Sequence, residues 1–262
     1  MLEVKDIYKT FNPGTVNEKH ALNGVSLSLK EGDFVTVIGS NGAGKSTLLN
    51  AIAGLWMVDS GSIKIAGDDI TKLPDYKRAK YIGRVFQDPM LGSAATMQIE
   101  ENMALAARRG KRRTLRKGIT QQERENYREL LKELNLGLED RLTSKVGLLS
   151  GGQRQALTLL MSTMEKPKLL LLDEHTAALD PKTAAKVLEL TEKLVSENNL
   201  TTFMVTHNMR DALKYGNRLI MMCDGKIIFD VEGEEKKKLE VKDLLDKFNT
   251  AGGIVSDAMM LG

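Results

Sequence analysis

Three observations predict an α/β fold with a mainly parallel core sheet, an N-terminal antiparallel β-subdomain and an inserted α-helical subdomain. An apolar run at 34–38 enters a glycine-rich loop that leaves through a helix-like stretch at 47–52, the strand, loop, helix succession of a parallel α/β unit. Four consecutive leucines, Leu169 to Leu172, alternate nothing, so that segment reads as a strand covered on both faces. Residues 2–7 and 24–29 do alternate, as a sheet with one wet face requires, whereas 92–164 carries a helical period.

Taken in order, 62–67 continues the antiparallel sheet begun by 2–7 and 24–29. Helices are expected over 99–109, over 121–134 and from Gln153 to Met164. Strand and helix then alternate to about residue 230, and 234–247 reads as one mixed-charge amphipathic helix carrying Leu239, Leu244 and Leu245. The expected organisation is a nucleotide-handling domain over 1–230, its helical subdomain over about 92–164, and a C-terminal helical extension over 231–262.

The glycine loop is a complete P-loop: Gly39, Ser40, Asn41, Gly42, Ala43, Gly44, Lys45, Ser46, then Thr47. Its glycines let successive N–H groups face inward, and the helix start adds positive potential where phosphates would sit. Lys45 is expected to reach the β- and γ-phosphates of ATP, and the Ser46 hydroxyl to ligate Mg²⁺.

The leucine strand ends in Asp173 and Glu174. Ligands of open parallel sheets collect at the carboxyl ends of strands, so this end is expected beside the P-loop strand, with Asp173 at the Mg²⁺ site. Glu174, one residue on, points elsewhere, as suits a base or water-orienting carboxylate.

Upstream lies a second phosphate-gripping signal, Leu149, Ser150, Gly151, Gly152 and Gln153. With the P-loop and the Asp173-Glu174 strand in this order, residues 1 to 230 resemble the nucleotide-binding subunit of the ATP-binding-cassette (ABC) superfamily, whose signature sequence this segment matches without change. The resemblance implies a P-loop NTPase core of RecA-like type and an ATPase activity. It also implies that the signature of one subunit closes on ATP held by a second copy, in a head-to-tail dimer. Gln87 matches the family's Q-loop glutamine, which contacts Mg²⁺ or the attacking water. His207 matches the switch histidine, holding Glu174 and water in register. Asp180 matches the D-loop aspartate that speaks across the dimer, and a helix-capping role before Pro181 fits the local sequence equally well. Tyr8 and Phe11 are candidates to stack on adenine, with Phe11 favoured by its spacing after the first strand. The chain departs from the family at His175, where a proline is usual. That histidine either tunes Glu174 or is a neighbour without chemical role, the latter being preferred.

The 262 residues, 42% hydrophobic, suffice for one cassette and not two, so the pair must come from two chains. No apolar run approaches the roughly 20 residues of a membrane span, and the start carries no secretory leader pattern. Cys223 is the single cysteine, compatible with a reducing cytosol. Seven positive charges fall within 108–117, read as a solvated loop or a face toward an anionic membrane. Nucleic acid is not expected as a partner, since no base-stacking aromatics accompany that run. The family resemblance implies a cytoplasmic subunit on the inner face of the membrane, driving a permease through a groove near 88–97. The order of residues 87–102 leans toward importers of amino acids or sugars, amino acids first, with an extracellular substrate-binding protein in the full system. Exporter or lipoprotein-extraction ATPases, and soluble cassettes acting on a scaffold as in iron–sulfur cluster assembly, share the catalytic motifs.

Overall fold

Strand β1 (Leu2–Phe11) alternates buried and exposed residues and lies between β2 (Lys19–Leu29) and β4 (Ser60–Ile65) in an antiparallel sheet. The chain is described by a computed structural model over residues 1–111 and 118–250. The second sheet is built on β3 (Phe34–Gly39), every residue of which is buried. A two-residue β5 (Asp68–Asp69) closes the first sheet, and β6 (Ile82–Val85), β7 (Leu169–Asp173), β8 (Thr202–Val205), β9 (Arg218–Cys223) and β10 (Lys226–Glu232) complete the second. Its order is β10-β9-β3-β8-β7-β6, parallel except for β10 at one edge.

This order corrects one expectation, because the leucine strand is not the neighbour of the P-loop strand. β8 lies between them, pairing Thr202 with Phe34 on one side and with Leu170 on the other. Four buried residues, Thr202 to Val205, let β8 be covered on all sides, and its insertion has a consequence for the site. The chain leaving β8 delivers His207 between the loop after β3 and the carboxylates after β7.

The helices are α1 (Lys45–Ala53), a short α2 (Asp75–Arg78), α3 (Ile99–Ala106), α4 (Gln121–Lys132), α5 (Gly151–Thr163), α6 (Pro181–Glu197), α7 (Met209–Lys214), α8 (Gly233–Lys237) and α9 (Val241–Thr250). Helices α3, α4 and α5 share their own core around Ile99, Met103, Tyr127, Leu131 and Leu157. The α5 helix is buried along most of its length, because it also faces the sheet core at Leu159.

The single helix expected over 234–247 is two helices. Lys236 in α8 donates from its buried Nζ to the Tyr215 and Gly216 carbonyls, pinning that helix to the turn before β9, and α9 restarts with the Glu240 N–H donating to Asp243 Oδ2 at 2.8 Å. Leu244 and Phe248 of α9 are wholly buried against Ile38, Met209 and Met221. Residues 251–262 of the expected C-terminal extension lie outside the described residues, as do 112–117 of the basic run.

Candidate nucleotide-binding site

The loop after β3 curls because its glycines permit what other residues resist. Gly44 has φ +99°, and a Cβ there would lie 2.5 Å from the Ala21 carbonyl oxygen. Lys45 is buried at the start of α1, and its Nζ donates to the carbonyls of Gly39 at 2.7 Å and Ser40 at 3.1 Å. Burial lowers its pKa, with Glu174 and then Asp173 acting in the opposite direction. Asn41, Gly42, Ala43, Gly44, Lys45, Ser46 and Thr47 wall a cleft of roughly 270 Å³ together with Phe11, Lys19, Ala21 and Glu174. That lies just below the ~300–1,000 Å³ of pockets that engulf a ligand.

Glu174 adopts φ +43°, a left-handed conformation uncommon for a side-chain-bearing residue. Its N–H is held by the Val205 carbonyl at 3.0 Å and its carbonyl by the Ala177 N–H at 2.9 Å. The His207 Nδ1 lies 3.6 Å from Glu174 Oε2. The pair perturbs both members: contact with His207 lowers the Glu174 pKa despite partial burial, and contact with Glu174 raises that of His207. Glu174 is therefore an ionised carboxylate at neutral pH, available to accept a proton.

Asp173 behaves differently. Burial raises its pKa, opposed by Arg84, whose Nη2 lies 3.2 Å from Asp173 Oδ2 and 2.7 Å from Asn50 Oδ1. Among the described residues no cluster of three or more His, Cys, Asp or Glu could hold a metal unaided. Ser46 lies in the cleft wall and Asp173, at the end of β7, does not; the hydroxyl and the carboxylate are hard oxygen donors, of the kind that suits a Mg²⁺ ion taking its remaining ligands from water and substrate phosphates.

Of the other expected residues, the structure brings Phe11 to this cleft and leaves Tyr8 half exposed elsewhere, its hydroxyl against Gly24. Gln87 is exposed beyond the edge strand β6 and is not in the cleft wall. Ser150 caps α5, its Oγ accepting from the Gln153 N–H at 3.3 Å while Gln153 Oε1 accepts from the Ser150 N–H at 3.2 Å. Ser150, Gly152 and Gln153 border a separate groove, so a single chain does not bring the signature to its own P-loop. Asp180 caps α6 by accepting from the Thr183 N–H at 3.1 Å, and the Thr183 side chain, then that N–H, lower its pKa; Pro181 follows it.

His175 is fully enclosed, and burial pushes its imidazole down to about 4. The Thr191 hydroxyl spends its proton on the Val187 carbonyl at 2.8 Å, so His175 Nε2 donates to Thr191 Oγ1 at 3.0 Å. This histidine clips the segment after Glu174 to α6 and is neutral. Within the basic run, Arg108 pairs with Glu123 at 2.9 Å, Arg109 donates to the Ser162 carbonyl at 3.0 Å, and Lys111 pairs with Glu165 at 2.7 Å. These three are bound into the helical subdomain.

Sequence reasoning missed three residues. Trp56 meets Phe11 edge to face with ring centroids 4.9 Å apart, Lys19 reaches over the P-loop, and Arg84 holds Asp173. No local signal marks Trp56, because only the pairing of β1 with β4, tied by the Thr10 N–H to Asp59 Oδ2 at 2.6 Å, folds its loop against Phe11.

Comparison with known proteins agrees with this geometry. Residues 22–177 match the family model described as ABC transporter. The chain is 48% identical over 252 residues to a tyrosine transport ATP-binding protein of Clostridioides difficile (strain R20291), covering 96% of this chain and 100% of that protein. It is 30% identical to the bacitracin export ATP-binding protein BceA of Halalkalibacterium halodurans, covering 98% of this chain and 99% of that one. The dimeric structure of a post-hydrolysis state of the ATP-binding cassette MJ0796, bound to ADP and Pi, superposes with a TM-score of 0.75 at 33% identity, covering 88% of this chain and 98% of that one.

Proposed function

Because the chain belongs to the ABC transporter family, we propose that it is the ATP-binding and ATP-hydrolysing subunit of an importer for an amino acid or a related small solute, powering a separate permease from the cytoplasmic face of the membrane. The observation that carries this reading is the convergence of Lys45, Glu174 and Phe11 on one half-open cleft while Ser150 caps a helix outside it. Such a half-site is completed by a second copy, whose signature closes on the nucleotide head to tail. ATP then holds the dimer together and its hydrolysis loosens it.

Phe11 stacks on adenine and the P-loop amides with Lys45 grip the β- and γ-phosphates. A water oxygen bonds to the γ-phosphorus as the bond from that phosphorus to the bridging oxygen breaks; ADP leaves with the electron pair, and the water's proton passes to Glu174. His207 keeps Glu174 ionised and oriented. Ser46 and Asp173, with Gln87 once the loop after β6 closes, would hold Mg²⁺, which supplies neutralisation of phosphate charge. Asp180 lies beside the dimer face as the residue that links the two sites.

A groove of roughly 1480 Å³ between the helical subdomain and the sheet, bordered by Tyr76, Leu91, Leu105, Arg109 and Met161, is the place for a cytoplasmic segment of the permease. The tyrosine transport relative supports an amino acid as cargo; the proposed importer would be served by an extracellular binding protein. Export is the second reading, supported by the bacitracin export relative. Among the described residues no helix is long and apolar enough to cross a membrane.

The test is to purify tagged Glu174→Gln protein with Mg-ATP from detergent-solubilised membranes of its native cell and identify what accompanies it. A multi-span permease with a substrate-binding protein is expected. A permease without any binding protein in its operon or complex favours export, and recovery of soluble scaffold proteins alone overturns the transporter reading while leaving the ATPase chemistry intact.

A further inference from the structure

We propose that Lys19 is a second phosphate-binding lysine of the nucleotide site, acting on the polyphosphate between the base platform and the P-loop. The inference rests on the ATP-binding reading above and adds a residue that no part of the P-loop motif contains. In the β1–β2 ladder Lys19 stands directly opposite Phe11, so its backbone is fixed beside the ring that receives the base. Directly opposed residues of an antiparallel ladder share a face, and both side chains line the cleft. A Cβ on Gly42 would lie 3.2 Å from Lys19 Nζ, which puts the ammonium over the middle of the P-loop, in the wall of the same cleft.

Positive charge outnumbers negative here until a further anion arrives. The cleft already contains the N-terminus of α1 and the Lys45 ammonium, both positive, against one carboxylate, that of Glu174. Another cation of this sheet edge is neutralised: Lys9 pairs with Asp59 at 2.8 Å. Lys19 has no such carboxylate among the described residues, and Lys45 has its Nζ on the Gly39 and Ser40 carbonyls. A cation held over inward-facing amides has one chemical complement, a phosphate chain extending from Phe11 to the loop. Because Lys19 reaches from the base side, it meets phosphates that ADP and ATP share.

The experiment is calorimetric titration of the parent, Lys19→Arg, Lys19→Gln and Lys19→Glu with Mg-ADP and with Mg-bound β,γ-imido-ATP, at two salt concentrations. Lys19 is exposed, so all four proteins should fold alike. Lys19→Gln should bind both nucleotides about 5- to 10-fold more weakly, the size of one charge-assisted contact open to solvent, with Lys19→Glu weaker still, Lys19→Arg near the parent, and a shallower salt dependence in Lys19→Gln. Dissociation constants within about twofold across the series, or a loss in Lys19→Arg equal to that in Lys19→Gln, would overturn the proposal. Failure of the parent itself to bind either nucleotide would instead bring down the ATP-binding reading, and this inference with it.

Discussion

At the scale of single residues, Glu174 and His175 are chain neighbours with opposite fates. Glu174 sits in a left-handed turn facing the cleft, its charge favoured by His207, whereas His175 is turned inward onto Thr191. The histidine's depressed pKa makes a stability prediction whose sign follows from proton binding. An unfolded chain protonates His175 near its ordinary 6.5, the folded chain only near about 4. The unfolded state therefore binds more protons between those values, so stability is whole above pH 6.5 and declines as pH falls toward 4, by up to about 3 kcal/mol from this group. Denaturant unfolding of parent and His175→Pro proteins from pH 7 to 4 should show a flatter acid decline in the variant, the residue usual at this place in the family. Parallel curves would mean that His175 is not buried neutral. The same placement excludes pKa tuning of Glu174, so the pH dependence of hydrolysis should overlay in the two proteins.

At the scale of elements, the ends of the chain act on the site through packing. β1 carries Phe11 to the cleft, and the loop after α1 brings Trp56 to its edge. Trp56 is the only tryptophan of the chain, which makes it an internal reporter. Saturating ATP should change its fluorescence, and the change should vanish in Phe11→Ala; an unchanged parent spectrum would remove Phe11 as the stacking ring. At the other end, α9 buries Leu244 and Phe248 completely behind Ile38, the residue before Gly39 of the P-loop. Phe248→Ala should cost about 3–5 kcal/mol in urea unfolding, the range for truncating an enclosed aromatic. A cost below about 1 kcal/mol would mark α9 as an appendage instead of part of the core.

On the proposed function, the whole molecule is half of a machine. Its P-loop cleft is open and its signature lies on a different surface, capped by the exchange between Ser150 and Gln153. Interference with the signature should therefore damage the partner's nucleotide and not the chain's own. In a Glu174→Gln background, which should bind ATP without hydrolysing it, gel filtration with Mg-ATP should give a dimer. Adding Ser150→Arg should return a monomer whose ATP affinity stays within about twofold of the parent. A persistent dimer would place the interface elsewhere.

The sequence by itself determined the local chemistry: the P-loop, the strand ending at Asp173 and the capped start of α5 each depend on near neighbours, through glycine torsions, unbroken apolar runs and i to i+3 capping. It also marked Glu174 at the end of an apolar strand and favoured Phe11 by its spacing after the first strand, whereas His207 was singled out by the family resemblance alone. Tertiary structure alone decided which of these meet. The insertion of β8 between β3 and β7, the exclusion of Gln87 and the signature from the cleft wall, and the arrival of Lys19, Trp56 and Arg84 depend on strand order and cross-strand register. Those are set by contacts between segments tens to hundreds of residues apart, such as Tyr8 with Ser60 or Phe34 with Thr202, for which a local pattern holds no record. His175 illustrates the division most directly, since a lone histidine beside a catalytic glutamate reads either way until packing against α6 turns it inward and removes its charge.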